Sequence, residues 1–174
     1  MSNREIQLML RIREGDSRAF EELYRLYNKP LANFFHRLCW NPARVDDLLQ
    51  EVFLRIWKAA PRYEPTAKFS TWIFRIAHNL WINDSRKRRE TSLGNLEREE
   101  ENPPGRSMER SETRRKVQAA LEALPEGERE CLVLSHYNGL KYAEIAEVME
   151  IPVGTVKSRI FSAVRRLRET LEPQ

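Results

Sequence analysis

Cationic and hydroxyl-bearing side chains are concentrated in one short segment, IPVGTVKSRIFSAVRRLRE, which spans Ile151 to Glu169. At the roughly 100° per residue of an α-helix, the apolar residues of this region fall within an arc of about 100°. They are Val156, Ile160, Ala163, Val164, Leu167 and Leu171. The opposite face carries Ser158, Phe161, Ser162 and Arg165, with Lys157 and Arg168 along one edge and Arg159 and Arg166 along the other. The segment is therefore predicted to be a helix that packs through one face and presents cations and hydrogen-bonding groups on the other.

The residues before this helix add a short helix and a tight corner, EIAEVMEIPVGTV. A short helix, a tight corner and a second helix with exposed cations together form the pattern of a helix-turn-helix. Hydroxyls and cations can bond to base edges and phosphates, and an outward phenylalanine such as Phe161 can contact a thymine methyl group. Thr155 is predicted to cap the second helix, at an end where the helix dipole favours phosphate. Duplex DNA is the predicted ligand, and a solvated amphipathic helix is the alternative.

A second stripe of nucleic-acid-binding character lies in the segment that begins at Phe69. Its core-facing residues are Ile73, Ile76, Ala77 and Leu80, and a separate stripe about 80° wide holds Trp72, Arg75, Asn79, Asn83 and Arg86. An aromatic ring, amides and cations on one stripe suit unpaired bases, which need a stacking surface and hydrogen-bonding partners. Ordinary core packing of Trp72 is an equal alternative.

Acidic residues accompany the segment VDDLLQEVFLRIW. Its apolar stripe consists of Val45, Leu48, Leu49, Val52, Phe53, Ile56 and Trp57, and beside it lie Asp46, Asp47, Gln50 and Glu51. This acidic face is predicted either to contact a basic protein surface or to be merely solvated.

Helical periodicity recurs along the chain, and strand signals are nearly absent. We predict helices over Arg4–Arg13, from a cap at Asp16 or Ser17, from a first turn containing Pro30, from Ala43, and from Phe69 into a basic cluster. Residues 91–113 read as a solvated, flexible linker because they hold few apolar residues, two prolines and an acidic run. The second unit is predicted to break at Leu124-Pro125 and Asn138-Gly139 and to hold a helix over Lys141–Glu150. The predicted fold is all-α, with helical domains at residues 1–90 and 114–174.

Length, net charge, cysteine content and the motifs present limit the kinds of function that the protein can have. The chain has 174 residues, a net charge of +4 and a pI near 9.2, which permits a polyanionic partner without requiring one. Cys39 and Cys131 lie far apart, so a reducing compartment fits better than a disulfide framework. There is no signal-peptide pattern and no long apolar run, which predicts a cytoplasmic protein without membrane insertion. The histidines are scattered and no catalytic motif is present, so neither a catalytic site, a metal site nor a cofactor is expected.

Three motifs in order resemble the sigma-70 family of bacterial transcription initiation factors, above all its small extracytoplasmic-function (ECF) group. DDLLQEVFLRIW is similar to the segment that docks on the β′ clamp helices of RNA polymerase. FSTWIFRIAHNLWINDSRKRR is similar to the segment that opens and recognises the −10 element. The segment from LPEGERECLVL to VRRLRE is similar to domain 4, which reads the −35 element. The resemblance covers nearly all of Gly15 to Leu171.

The resemblance implies site residues at matching positions. It assigns core polymerase contacts to Asp47, Gln50, Glu51 and Phe53. It places Asn79 where a flipped −10 base is held and the loop from Arg62 to Phe69 where the pocket for that base forms. Taken together with the stripe described above, the residues predicted to bind the melted −10 strand are Phe69, Trp72, Arg75, Asn79, Asn83 and Arg86. The resemblance assigns −35 reading to Lys157, Ser158, Phe161 and Ser162, and backbone contacts to Arg159 and Arg165. Ser162 stands at a position that is frequently basic in relatives, so one −35 base preference does not carry over. Lys141 stands where the family often has Ser or Thr as a helix cap, which implies at most a modest loss of local stability.

The implied partners are promoter DNA and core RNA polymerase, through its β′ clamp helices and β flap, and the resemblance also allows an anti-sigma factor. A stand-alone helix-turn-helix regulator is the main alternative, because EIAEVMEIPVGTVKSR also resembles the output domains of LuxR-type activators. An enzyme with a helical active site and a pure protein-interaction module are further alternatives.

Overall fold

The computed structural model of the chain describes residues 3–92 and 108–172, and within these ranges it contains helices and no strand. The helices are α1 (Asn3–Arg13), α2 (Ser17–Cys39), α3 (Pro42–Ala59), α4 (Phe69–Ser92), α5 (Met108–Glu122), α6 (Glu126–Leu132), α7 (Tyr142–Met149) and α8 (Val153–Leu171). The predicted all-α class is confirmed. None of the helices in the described ranges is both long and apolar enough to cross a lipid bilayer.

Side-chain caps fix the start of the two long helices of the first unit. The Asp16 carboxylate accepts hydrogen bonds from the backbone N–H groups of Arg18 and Ala19, at 2.9 and 3.2 Å. A hydrogen bond from Arg11 lowers the pKa of the same carboxyl, with the bond from Ala19 acting in the same direction. Asn41 caps α3 by accepting from Arg44 N–H at 2.9 Å. Of the two cap candidates in the sequence, Asp16 is the one used.

The prediction of a separate helix beginning near Pro30 is wrong, because α2 continues through this proline. Leu23 before it and Leu31, Phe34 and Phe35 after it are all fully buried in the same core. A proline in a helix interior removes one backbone hydrogen bond. Packing of one uninterrupted apolar face therefore overrides the local preference of Pro30 for a first turn.

Replacing Pro30 is expected to stabilise the protein. Pro30→Ala restores a backbone donor within α2 and removes the steric conflict of the ring, so the free energy of unfolding should rise by about 1–3 kcal/mol in urea titrations. Pro42→Ala is the matched control, because Pro42 occupies the first turn of α3, where proline is well tolerated. Equal changes in the two variants would contradict this account.

The core of the first unit lies between α1, α2, α3 and α4. The apolar stripe of α3 contributes Val45, Leu48, Leu49, Val52, Phe53 and Ile56, all buried as predicted. Trp57 is the exception, because it remains 43% exposed. A 3-10 turn at Ala60–Arg62 then leads into the loop before α4.

The second unit is built from α5 to α8, and it differs from prediction at several helix ends. Helix α5 begins at Met108, inside the segment predicted as a linker, because this stretch holds good helix formers. Residues 93–107 of that predicted linker lie outside the described residues. Helix α6 passes into a π-helical turn at Val133–Tyr137, which the sequence did not indicate.

The predicted cap at Thr155 is also wrong. Helix α8 begins at Val153, with Pro152 at the capping position and no side-chain cap. Thr155 lies in the first turn, where its backbone N–H donates to the carbonyl of Pro152 at 2.9 Å. The fixed backbone angle of Pro152 sets the start of the helix three residues earlier than predicted.

Candidate nucleic-acid and polymerase interfaces

Helix α8 presents the face that the sequence assigns to duplex DNA. Phe161 is 72% exposed, which is unusual for a phenylalanine, and Lys157, Ser158 and Arg165 are also exposed. Ser162 is half-buried. On the opposite side Val156, Ile160 and Ala163 are buried against the other helices of the unit. The helix therefore offers an apolar ring surrounded by cations and hydroxyls, a combination suited to the major groove.

The second cationic edge of α8 is turned towards α6 instead. A Cβ atom at Gly127 would lie 2.8 Å from Nη1 of Arg159, which shows how closely this guanidinium covers the glycine. Burial raises the pKa of the Cys131 thiol to about 11, and nearby Arg159 acts in the opposite direction. Arg166 pairs with Glu128 at 3.2 Å. Arg159, assigned to the DNA backbone by resemblance, is thus half-buried and packed within its own unit.

The stripe on α4 is open over most of its length. Asn79, Asn83 and Arg86 are exposed, and Trp72 is half-buried. The Trp72 ring meets Tyr63 edge-on at 5.0 Å and Phe69 in a tilted contact at 5.4 Å. Trp72 therefore combines partial core packing with a partly accessible surface. Its position fits both interpretations given above, core packing and a stacking surface for unpaired bases.

Phe69 and Arg75 lie in less accessible positions than the sequence suggested. Phe69 is only 4% exposed and packs against Tyr27 and Tyr63 beneath the stripe, where it supports Trp72. Arg75 donates from Nε and Nη2 to the carbonyl oxygen of Glu147, at 3.1 and 2.9 Å. One edge of the stripe is thus occupied by α7 of the second unit.

The acidic face of α3 carries an apolar component that sequence reasoning missed. Asp47 and Gln50 are exposed, and Glu51 is half-buried and bonded to Arg55 at 2.9 Å. Leu54 and Trp57 are 45% and 43% exposed on the same side of the helix. They follow Asp47 and Gln50 by seven residues, or two helical turns. This spacing places them on the same face of the helix, and it would have allowed their position to be predicted from the sequence. Exposed apolar side chains beside carboxylates are typical of a protein-binding surface.

Phe53 is not on this surface. It is 4% exposed and contacts Tyr24 at 4.6 Å and Phe20 at 6.1 Å between ring centres. Its place in the core means that it supports the face from below rather than presenting a side chain to a partner.

An ion pair joins α3 to the middle of α4. Nε of Arg44 donates to Oδ2 of Asp84 at 2.6 Å, and its guanidinium lies 4.5 Å from the ring centre of Trp81. The Arg44 side chain is only 14% exposed. This brace fixes the part of α4 from which Asn83 and Arg86 project, and nothing in the local sequence pattern indicated it.

The histidines and cysteines do not gather around a metal position in the described part of the chain. His36 meets Trp40 edge-on at 5.0 Å, and Cys39 lies against the carbonyl of Asn41 at 3.8 Å. Within residues 3–92 and 108–172 there is no group of three or more potential metal ligands.

Comparisons with known proteins match both units. The family model of Sigma-70 region 2 matches residues 23–91, which include α3 and α4. The model of Sigma-70, region 4, matches residues 114–167. The chain is 33% identical over 180 residues to the RNA polymerase sigma-H factor of Pseudomonas aeruginosa, covering 96% of this chain and 93% of that protein. The chain belongs to the sigma-70 family.

This sigma factor is also 31% identical over 179 residues to the ECF RNA polymerase sigma-E factor of Escherichia coli, covering 95% of this chain and 93% of that one. Its fold is similar to that of CnrH solved in complex with the cytosolic domain of CnrY, with a TM-score of 0.76, 27% identity and 97% coverage of both chains. It is similar as well to RpoE from Bartonella quintana solved with the anti-sigma factor NepR, with a TM-score of 0.75, 26% identity, and coverage of 89% of this chain and 98% of that one. The predicted membership of the ECF group is confirmed.

Proposed function

We propose that this sigma factor binds core RNA polymerase and directs transcription initiation at promoters with a −35 and a −10 element. The observation that carries this proposal is the presence of two different nucleic-acid faces on one chain. Helix α8 exposes Phe161 among cations, and α4 exposes Asn79, Asn83 and Arg86 beside Trp72. The first face suits an intact duplex, and the second suits unpaired bases.

In this proposal α8 enters the major groove of the −35 element. Lys157, Ser158, Phe161 and Ser162 read base edges, and Arg165 contacts a phosphate. Arg159 can reach the DNA only by leaving Gly127, so we assign it a supporting role in placing α8 on α6. Thr155 contributes through its place in the first turn of α8, where backbone N–H groups favour a phosphate.

The α4 stripe captures bases of the −10 element after they leave the stack. Unpairing costs a few kcal/mol per base. A surface that binds only the extruded base stabilises the melted form and shifts the equilibrium towards it. Asn79 supplies amide hydrogen bonds and Trp72 supplies an aromatic surface, while Phe69 holds Trp72 in place. The polymerase performs the chemistry of RNA synthesis.

Core polymerase binds the α3 face and sets the distance between the two DNA-binding faces, which lie on α4 and α8. One helical turn of DNA spans about 34–36 Å. Promoter elements that are farther apart than this cannot both be contacted by one small domain. A carboxylate-bearing face with exposed Leu54 and Trp57 suits a basic surface with apolar contacts, such as the β′ clamp helices. We propose the β flap as a second contact, made by the unit that carries α8.

The decisive experiment is transcription in vitro with core enzyme on a genomic fragment library, followed by mapping of the start sites. Discrete starts that require the added chain support the proposal. A pulldown with core polymerase separates it from a stand-alone helix-turn-helix regulator, which would bind DNA but not the core enzyme. A chain that neither binds core nor starts transcripts would refute the proposed function.

Removing one carboxylate from the α3 face should weaken polymerase binding selectively. Asp47→Ala is expected to lower affinity for core enzyme by about three- to tenfold, because a rim charge opposite a basic surface is lost. Glu14→Ala is the matched control, since Glu14 is also exposed but lies in the turn before α2, outside the α3 face. Fluorescence anisotropy of labelled protein with core enzyme measures both. Equal losses would show that net charge, not this face, determines binding.

The α3 face is also where an anti-sigma factor would compete. Two proteins of similar fold were solved with a bound partner, the cytosolic domain of CnrY in one case and NepR in the other. We propose that a partner of this kind covers Leu54 and Trp57 in this sigma factor and thereby excludes the polymerase.

A further inference from the structure

A cleft of about 770 Å³ lies between the last turns of α2 and the middle of α5. Its wall on the α2 side includes His36, Arg37 and Trp40, and its wall on the α5 side includes Arg114 and Val117. The volume is within the range of about 300–1,000 Å³ that is usual for small-molecule sites. None of the residues that we assign to DNA or to polymerase lines this cleft, so its chemistry needs a separate explanation.

The polar side chains of the cleft are mainly hydrogen-bond donors. The guanidinium groups of Arg37 and Arg114 are permanently charged and only donate, and the indole N–H of Trp40 also only donates. No carboxylate is among the described residues that line the cleft. Donors that converge without an acceptor favour a negatively charged ligand, because hydrogen bonds to an anion are the strong ones.

Two of these donors have no partner within the protein. Nε of Arg37 and Nε1 of Trp40 are both buried, and neither bonds to a protein group. The Arg37 guanidinium lies 3.6 Å from the ring centre of Tyr137, a contact that fixes its plane without accepting its hydrogens. A buried donor left without a partner destabilises a fold, so such a group in a native protein calls for an explanation, of which a bound ligand is one.

Trp40 is held in the cleft wall by an unusual backbone conformation. Its φ of 53° and ψ of 19° are left-handed, which is uncommon for a bulky residue. The indole meets His36 edge-on at 5.0 Å and packs on the apolar cluster that contains Leu121 and Leu124. Trp40 therefore bridges the two walls of the cleft. Strained residues of this kind concentrate at ligand sites.

The positive charge of the cleft is not neutralised by neighbouring carboxylates. Burial lowers the pKa of His36, and the charges of Arg114 and Arg37 lower it further, so both arginines act on the same point. Glu112, which precedes Arg114 by two residues on α5, is already paired with Lys116 at 2.9 Å. In the part of the chain that the structure describes, neither Arg37 nor Arg114 forms an ion pair. The site therefore has two cations available for a ligand.

We propose that this cleft binds a phosphate ester of nucleotide size, with Arg37, Arg114 and the indole N–H of Trp40 holding the phosphate group. A phosphate ester carries about two negative charges at neutral pH, which matches two arginines, and its oxygens fit the planar forks of guanidinium groups. The cleft is much larger than a bare phosphate ion, and Val117 adds apolar lining for the organic part. The site lies outside the proposed function in transcription and does not depend on it.

The test is a titration of the full chain, followed by the indole N–H signals in ¹H–¹⁵N spectra and by calorimetry. The chain has four tryptophans, and the Trp40 signal is identified by its loss in the Trp40→Phe variant. The probes are AMP, ADP, inorganic phosphate and adenosine. AMP and ADP should shift the Trp40 signal and bind with a stoichiometry of one. Inorganic phosphate should bind more weakly, and adenosine should not bind.

Each other outcome overturns a defined part of the proposal. If AMP and ADP leave the Trp40 signal unchanged, the site is refuted. A shift of the Trp72 signal alone would place the nucleotide on the α4 stripe and would also refute the cleft. Equal affinities for AMP and inorganic phosphate would overturn the assignment of an organic ester. Neither polymerase nor promoter DNA is present, so the result is independent of whether the chain starts transcription.

Arg114→Gln is expected to weaken AMP binding by about five- to tenfold, because an exposed charge-assisted contact is lost. Arg115→Gln is the matched control, since Arg115 is also exposed on α5 and its loss changes the net charge equally, but it does not line the cleft. The control should bind AMP like wild type. Equal weakening in the two variants would show general attraction to a basic protein and would overturn the site.

Arg37→Lys tests how the phosphate is recognised. Lysine keeps the positive charge but lacks the planar fork and the fixed plane of the guanidinium, so AMP binding should again weaken several-fold. Thermal melting without ligand shows whether the variant is folded. AMP binding equal to wild type in a folded Arg37→Lys variant would overturn the role of Arg37.

Discussion

Phe161→Ala combined with Lys157→Ala is expected to lower initiation at −35-dependent promoters by about one to two orders of magnitude. Each base-edge contact in the major groove contributes about 1–3 kcal/mol of discrimination. Phe161 is the most exposed large apolar side chain in the described residues, at 72%. Its removal leaves no cavity, so the thermal midpoint should stay within a degree or two of wild type, as expected for a surface position. The measurements are transcription in vitro and calorimetry.

Leu171→Ala with Lys116→Ala provides the matched control for this double variant. Leu171 is 41% exposed on the same helix but lies at its far end. Lys116 pairs with Glu112 on α5. The control should retain full initiation, and both variants should bind core enzyme like wild type. Unchanged initiation by the Phe161 variant at promoters that need the −35 element would refute the assignment of α8.

Asn79→Ala is expected to slow open-complex formation by about ten- to a hundredfold. An amide that bonds two groups of an extruded base contributes about 1–3 kcal/mol, and this energy offsets the few kcal/mol required for unpairing. Asn79 is exposed on α4, so the substitution should not alter stability. A fluorescent base analogue in the −10 element reports opening directly. On a template that is already melted, the variant should initiate nearly as well as wild type.

Asn33→Ala serves as the control for the loss of an exposed asparagine, because Asn33 lies on α2 outside the stripe. It should open promoters at the wild-type rate. An equal defect of Asn79→Ala on duplex and on melted templates would exclude a role in opening itself and would leave only a role in later steps.

The functional faces were predictable where one helix determines them. The exposure of Phe161 and the burial of Val156, Ile160 and Ala163 follow from a 3.6-residue repeat within α8. The same holds for Asn79 and Asn83 on α4. Phe69 and Phe53, in contrast, were assigned by resemblance, and both are buried. A motif match identifies which residue of this chain is equivalent to a functional residue of the family. It does not show whether the side chain of that residue is exposed, because exposure depends on the neighbouring helices.

Tertiary contacts explain the remaining differences. Pro30 would start a helix on local preference, but the shared burial of Leu23 and Leu31 keeps α2 continuous. His78 and Glu130 are 52 residues apart in sequence, and no periodicity within either helix links them. Their pairing arises only when the two units dock. The sequence therefore predicted two separate units without predicting how they close on each other.

The Arg44–Asp84 brace has a thermodynamic consequence for promoter recognition. Because Arg44 is held by Asp84 and by the Trp81 ring, the backbone that bears Asn83 and Arg86 is ordered when the chain folds. Loss of conformational freedom is among the main penalties of association. A scaffold already fixed at this point leaves less entropy to be lost in the strand capture that we propose, so more of the contact energy is available to separate the base pairs.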